Sequence, residues 1–167
     1  MLIDAFEPEG VTMLAKDSIF MMPHLGVLAS VHPKAAEQVF DRDCLVYLGT
    51  CVCAAGTPKP GKTCFKYELS GSVNKSGEIA GGELQLIDMG MDDRATITLT
   101  PARGIDLGAG PGKKVEQEVR GGTVGLILDG RGRSLSLPED RATCQKTVQG
   151  WLDSLDVYAQ EKEAVAV

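Results

Sequence analysis

The stretch 100–138, TPARGIDLGAGPGKKVEQEVRGGTVGLILDGRGRSLSLP, constrains the fold more than any other part of the chain. Nine of the chain's 20 glycines lie in it, and short apolar runs at 115–119, 124–128 and 135–137 alternate with them. Glycine serves backbone that must take positive φ or approach another segment closely. β-like runs cut by such punctuation predict tight turns in an antiparallel β-barrel or sandwich.

Around this block the period of the apolar positions changes twice. Residues 1–43 read as a helical segment. Pro8 opens a helix in which Val11, Leu14, Ala15, Ser18 and Ile19 fall at helical spacing, and Pro23 ends it. A second short helix begins at Pro33, with Ala35, Ala36, Val39 and Phe40 as its apolar face. Residues 44–138 read as the β-rich core. The run 45–52 fits a buried strand, 63–69 another, and 71–82 a polar, glycine-containing loop or hairpin. Leu84 and Leu86 alternate with Glu83 and Gln85, and 96–100 alternates cleanly with β-branched residues. Glu116 and Glu118 oppose Val115, Gln117 and Val119, so one face there is expected to be wet. Residues 139–167 form a C-terminal helix and tail, the helix running from 139 to 160 on the spacing of Val148, Trp151, Leu152, Leu155 and Tyr158. The expected architecture is one compact, β-rich α+β domain with short N-terminal helices and a C-terminal helix.

A hydrophobic fraction of 43% is ample for a core in 167 residues. A net charge of −6 argues against sequence-independent nucleic-acid binding, which needs clustered cations. No apolar run approaches the ~18 residues of a membrane span. Asp4, Glu7 and Glu9 replace the basic region of a signal peptide. Five cysteines without a compact disulfide spacing read as reduced thiols of a cytoplasmic protein.

Several groups are candidates for chemistry. Gly108, Gly110, Gly112 and Lys113 resemble a phosphate-cradling loop. A true P-loop opens a helix, whereas the residues after Lys114 alternate like a strand. A structural turn is therefore the plain reading, and an anion-binding nest assisted by Lys113 and Lys114 the functional one. Asp129-Gly130-Arg131-Gly132-Arg133 reads as a hairpin tip, since Asp-Gly supplies positive φ. A turn with solvated arginines is the plain reading, and two exposed arginines gripping a carboxylate or phosphate the functional one; on either, replacing both with alanine would change stability by no more than about 0.5 kcal/mol. Cys44, Cys51, Cys53 and Cys64 would form a four-thiolate metal site only if their strands converge. Structural zinc sites use closely spaced cysteine pairs, and only 51 and 53 are close. Ordinary interior thiols are the plain reading. His24, His32 and Asp17 lack any metal or acid–base spacing and read as turn or capping residues. No nucleophile–base grouping presents itself, so no catalytic residue is assigned.

Three blocks also carry a resemblance: DAFEPEGVTMLAKDSIFMMPHLGVLA (4–29), 102–138, and Arg141 with Trp151-Leu152. They resemble the C-terminal portion of the glutamate (methylaspartate) mutase accessory protein family, glutamate mutase L. MMPHLGVLA and GGTVGLILDGRGR are the most specific parts. Members resemble ATPases of the actin/Hsp70/sugar-kinase type and are thought to maintain or reactivate adenosylcobalamin-dependent mutases. The resemblance implies that ATP and magnesium belong to a region N-terminal to this portion, and that this chain itself holds no cofactor. It implies a non-catalytic interaction module whose partner is a mutase or the rest of the accessory protein; the charge and the lack of a long apolar run add the expectation of no nucleic-acid and no membrane partner. Cys51-Val52-Cys53 departs from the apolar residues expected there. That departure keeps an alternative open: a β domain binding a small anion or a metal through glycine-rich loops or Cys51 and Cys53.

Overall fold

The computed structural model describes residues 2–155. In chain order they form α1 (Leu2–Phe6), β1 (Gly10–Asp17), α2 (Met22–Val31), α3 (Pro33–Val39), a π-helical turn (Phe40–Cys44), β2 (Leu45–Cys53), β3 (Thr63–Gly71), β4 (Lys75–Ala80), β5 (Leu84–Ile87), β6 (Arg94–Pro101), β7 (Val115–Arg120), β8 (Gly125–Asp129) and α4 (Arg141–Leu155). The strands make two four-stranded sheets, ordered β1-β2-β8-β5 and β4-β3-β6-β7. The result is a sandwich and not a closed barrel. Every neighbouring pair is antiparallel except β2 and β8, which run parallel from Gly49↔Gly125 to Cys53↔Asp129.

Alternation explains the second sheet. On β3 and β6, Phe65, Tyr67, Leu69, Ile97 and Leu99 point inward and are buried, while Lys66, Glu68, Thr96 and Thr100 face solvent. From the first sheet Val52, Leu126 and Leu128 complete this core. The first sheet is covered on its other face too. There Cys51, Cys53, Leu84 and Ile3 pack with Leu14, Ile127, Trp151 and Leu155. The molecule is thus layered as helix, sheet and sheet, with α1 and α4 outermost.

Two expectations for residues 1–43 are corrected. The segment read as a helix from Pro8 is β1, the edge strand of the first sheet. Both faces of that sheet are covered, so β1 carries apolar residues on both sides. Val11 packs on the sandwich core and Leu14 on the helical side, which imitates a helical interval. Pro23 does not end a helix. It sits in the first turn of α2, where its missing N–H costs nothing. The helix expected over 139–160 is present as Arg141–Leu155, and residues 156–160 lie outside the described ones.

Residues 18–44 connect β1 to its neighbour β2 as a helical arm. α2 and α3 pack chiefly on each other and on the π turn. The arm is closed at its base where the Ser18 N–H donates to the Cys44 carbonyl at 3.2 Å. The Asp17 carboxylate accepts from the N–H groups of Ile19, Met21 and Met22 at 3.2, 3.1 and 3.0 Å. These bonds, led by that from Met22, hold its carboxyl below the usual range.

Candidate functional site

β8 is a central strand, with Asp129 level with Cys53 on one side and Leu84 on the other. Strands on both sides leave no room for the chain to turn back, so 129–133 is not a hairpin tip. Asp129 is fully buried and accepts four hydrogen bonds. The Arg131 backbone N–H and Nε donate to Oδ1 at 2.9 and 3.0 Å. Arg131 Nη2 and Arg133 Nη2 donate to Oδ2 at 2.8 and 2.7 Å. Arg131 Nη2 also reaches Asp4 Oδ1 at 2.7 Å and its guanidinium lies 4.6 Å from the centre of the Trp151 ring. Arg133 ties the segment to the N-terminal region, donating from Nε to the Pro8 carbonyl at 3.2 Å and from Nη1 to the Gly132 carbonyl at 2.8 Å.

The exposed arginine pair expected from sequence is therefore corrected. The Arg131 and Arg133 side chains are 3% and 1% exposed. Burial pushes the Asp129 carboxyl up. Hydrogen bonding and charge from Arg131, then Arg133, outweigh that and hold it below the usual carboxylate range. A cluster so fully paired joins β8, α1 and α4 and has no charge left to grip a ligand.

The Gly108–Gly112 loop is likewise satisfied from within. Asp106 Oδ1 accepts from the Gly108 and Gly110 N–H groups at 2.8 and 2.9 Å, and the Gly112 N–H donates to the Ile105 carbonyl at 2.8 Å. The backbone that would cradle an anion is already bound to a carboxylate, which favours the plain reading of a turn over the anion-nest alternative. Lys113 and Lys114 stand exposed beside it. The structure does bring the two glycine-rich segments together: after β2, Ala55 bridges Asp106 and Gly56 bridges Arg133.

The four buried thiols do not converge. Cys44 sits at the base of the arm, Cys64 between the sheets, and Cys51 and Cys53 on the helical face of β2. Among the described residues no three or more His, Cys, Asp or Glu side chains are grouped to hold a metal. The four thiols are buried, as their plain reading has it, and the four-thiolate alternative lacks the convergence it required. Cys51 and Cys53 differ in character although they are neighbours. The hydrogen bond from Cys53 lowers the Cys51 thiol, burial opposes, and Arg133 assists, whereas the same contact and burial push Cys53 up. Cys64 is pushed up to about 11 by burial first and by Asp129 second.

Sequence reasoning missed the surface of the arm. On α2 and the turn before it, Ile19, Phe20, Met22, Val27 and Val31 are exposed, Phe20 at 76% and Val27 at 73%. Leu25 is the one fully buried residue of α2. The signal was legible: MPHLGVLASV is apolar around its whole circumference, and such a helix needs cover on more than one side. His24 and His32 lie exposed on the same arm, apart from the ion cluster.

Comparisons of the chain with protein-family models, curated proteins and solved structures found no match.

Proposed function

We propose that this chain is a non-catalytic interaction module that docks a protein partner on its helical arm. The observation that carries the reading is the arm's uncovered apolar surface. Single exposed apolar residues are ordinary, but a set of them on one short helix and its entry turn points to an interaction site. Phe20, Val27 and Val31 supply that set, and the bonds of Asp17 and Ser18 fix its base. A helix presenting apolar side chains to a groove is a common mode of recognition.

The resemblance directs the choice of partner. MMPHLGVLA, one of its two most specific blocks, overlaps α2, and GGTVGLILDGRGR spans β8 and the arginine cluster. On this reading the first block touches the partner and the second holds the scaffold together. The partner is an adenosylcobalamin-dependent mutase or the ATPase-like remainder of an accessory protein. The module acts in the cytoplasm with reduced thiols and without a cofactor of its own. ATP and magnesium belong to the nucleotide-binding region of such a protein.

The test is titration of a purified glutamate (methylaspartate) mutase with the chain, and with Phe20→Ser and Val27→Ser variants. Affinity is expected to fall about tenfold or more, equivalent to about 1.4 kcal/mol, with an unchanged unfolding midpoint. Equal affinity in parent and both variants removes the arm from the interface. No binding by the parent chain removes the mutase as partner.

A further inference from the structure

A cavity of about 340 Å³ lies between α4 and the outer face of the first sheet. Its walls are Leu14, Leu48 and Ile127 from the sheet and Val148, Trp151 and Leu155 from α4. Its floor is bare because Gly49 and Gly125, partners across the parallel β2/β8 pair, occupy adjoining positions there. Neither can gain a side chain. A Cβ at Gly49 would lie 1.9 Å from the Gly125 carbonyl oxygen, and one at Gly125 would lie 2.6 Å from that of Ile87. The close approach of the strands thus leaves bare backbone on this wall of the pocket and forbids its replacement by a larger residue. Leu48, skipped in the pairing of β1 with β2 where the register shifts, stands at its edge.

The polar groups of the lining are already engaged. Thr50 Oγ1 donates to the Arg120 carbonyl at 2.8 Å and accepts from the Arg120 N–H at 3.1 Å. Arg131 is bound to Asp129 and Asp4. The pocket is open to solvent at its rim, and water inside it finds few polar partners, so an apolar occupant that displaces it is favoured. At the rim Val148 and Leu152 remain 36% and 47% exposed, which an apolar occupant would cover.

We propose that this cavity binds a small uncharged apolar molecule. Its volume falls at the lower end of ligand sites, roughly 300–1,000 Å³, which suits a compact ring or a short chain. The site is separate from the arm and does not depend on the arm's partner.

Toluene is the probe, titrated into the full isotope-labelled chain. Trp151 is the chain's single tryptophan, so its indole N–H gives one nuclear magnetic resonance signal. That signal and the amides of Gly49 and Gly125 are expected to shift saturably, while Gly26 and Val27 on the arm stay fixed. Val148→Phe narrows the cavity from α4 and is expected to weaken toluene about tenfold or more, with Val27→Phe leaving it unchanged. Should Val148→Phe not fold, the parent titration decides alone. Unmoved indole and glycine signals overturn the proposal. Equal affinity in a folded Val148→Phe chain overturns it as well.

Discussion

Replacing Arg131 and Arg133 together with alanine separates the buried cluster from the exposed tip read in the sequence. An exposed tip loses no more than about 0.5 kcal/mol. In the structure the substitution leaves the fully buried Asp129 carboxylate with the Arg131 backbone N–H as its one remaining donor from the cluster. Breaking a buried ion pair by removing one side costs about 3–5 kcal/mol. Loss of the Arg131–Trp151 stacking adds about 0.5–2 kcal/mol. The contact with Asp4 adds little, because that carboxylate is 42% exposed and water screens it. A total of about 3.5–7 kcal/mol is a large part of the roughly 5–15 kcal/mol that holds a domain folded. The assay is urea denaturation at pH 7, followed by Trp151 fluorescence and far-ultraviolet circular dichroism. Asp129→Leu with Arg131→Met and Arg133→Met serves as the control, since removing the charges together removes their desolvation cost and is expected to restore much of the loss. A loss below about 1 kcal/mol in the double alanine variant would refute the reasoning.

Three further outcomes are expected. The Asp129, Asp17 and Asp106 carboxyls are held below the usual carboxylate range when folded, so their contribution is complete above the unfolded range and is lost as pH falls through their folded values. Urea midpoints are expected to hold steady from about pH 7 to 5 and to drop below about pH 4, and a midpoint rising on acidification would contradict this. Gly49→Ala, at φ +134° and 1.9 Å from the Gly125 oxygen, is expected to cost about 3 kcal/mol or more, while Gly26→Ala, with nothing within 4 Å, is expected to gain about 0.5–1 kcal/mol in thermal unfolding. A thiol reagent is expected to label Cys144 quickly in the native chain and Cys44, Cys51, Cys53 and Cys64 only on unfolding; fast labelling of Cys51 would contradict its burial.

The fold was legible where one face of a strand is wet. The β6 residues alternate because Ala95, Ile97 and Leu99 meet the core while Thr96 and Thr100 meet water. β1 was hidden because Val11 and Leu14 serve opposite covered faces, and no period of two survives. The α3 start at Pro33 followed from local chemistry alone. The candidate site was harder to see. Asp-Gly is a local turn signal, but the fate of Asp129 and Arg131 is set by strands β2 and β5 and by Asp4, all distant in sequence. Likewise no spacing rule announced that Asp106 would occupy the Gly108–Gly110 amides, although a carboxylate two residues ahead of a glycine run is a known turn former.

The position of β8 bears on how the chain acquires its structure. β2 and β5 are both made well before β8, yet each pairs with it and not with the other. Until Gly125–Asp129 leaves the ribosome, the first sheet has a slot where its centre belongs and two unsatisfied strand edges beside it. Pairings of such long sequence separation slow folding. The second sheet, whose neighbours β3 and β4 form a hairpin, can assemble earlier. A nascent chain stalled ahead of β8 would therefore carry one organised sheet and one sticky half-sheet, the species a chaperone is expected to hold.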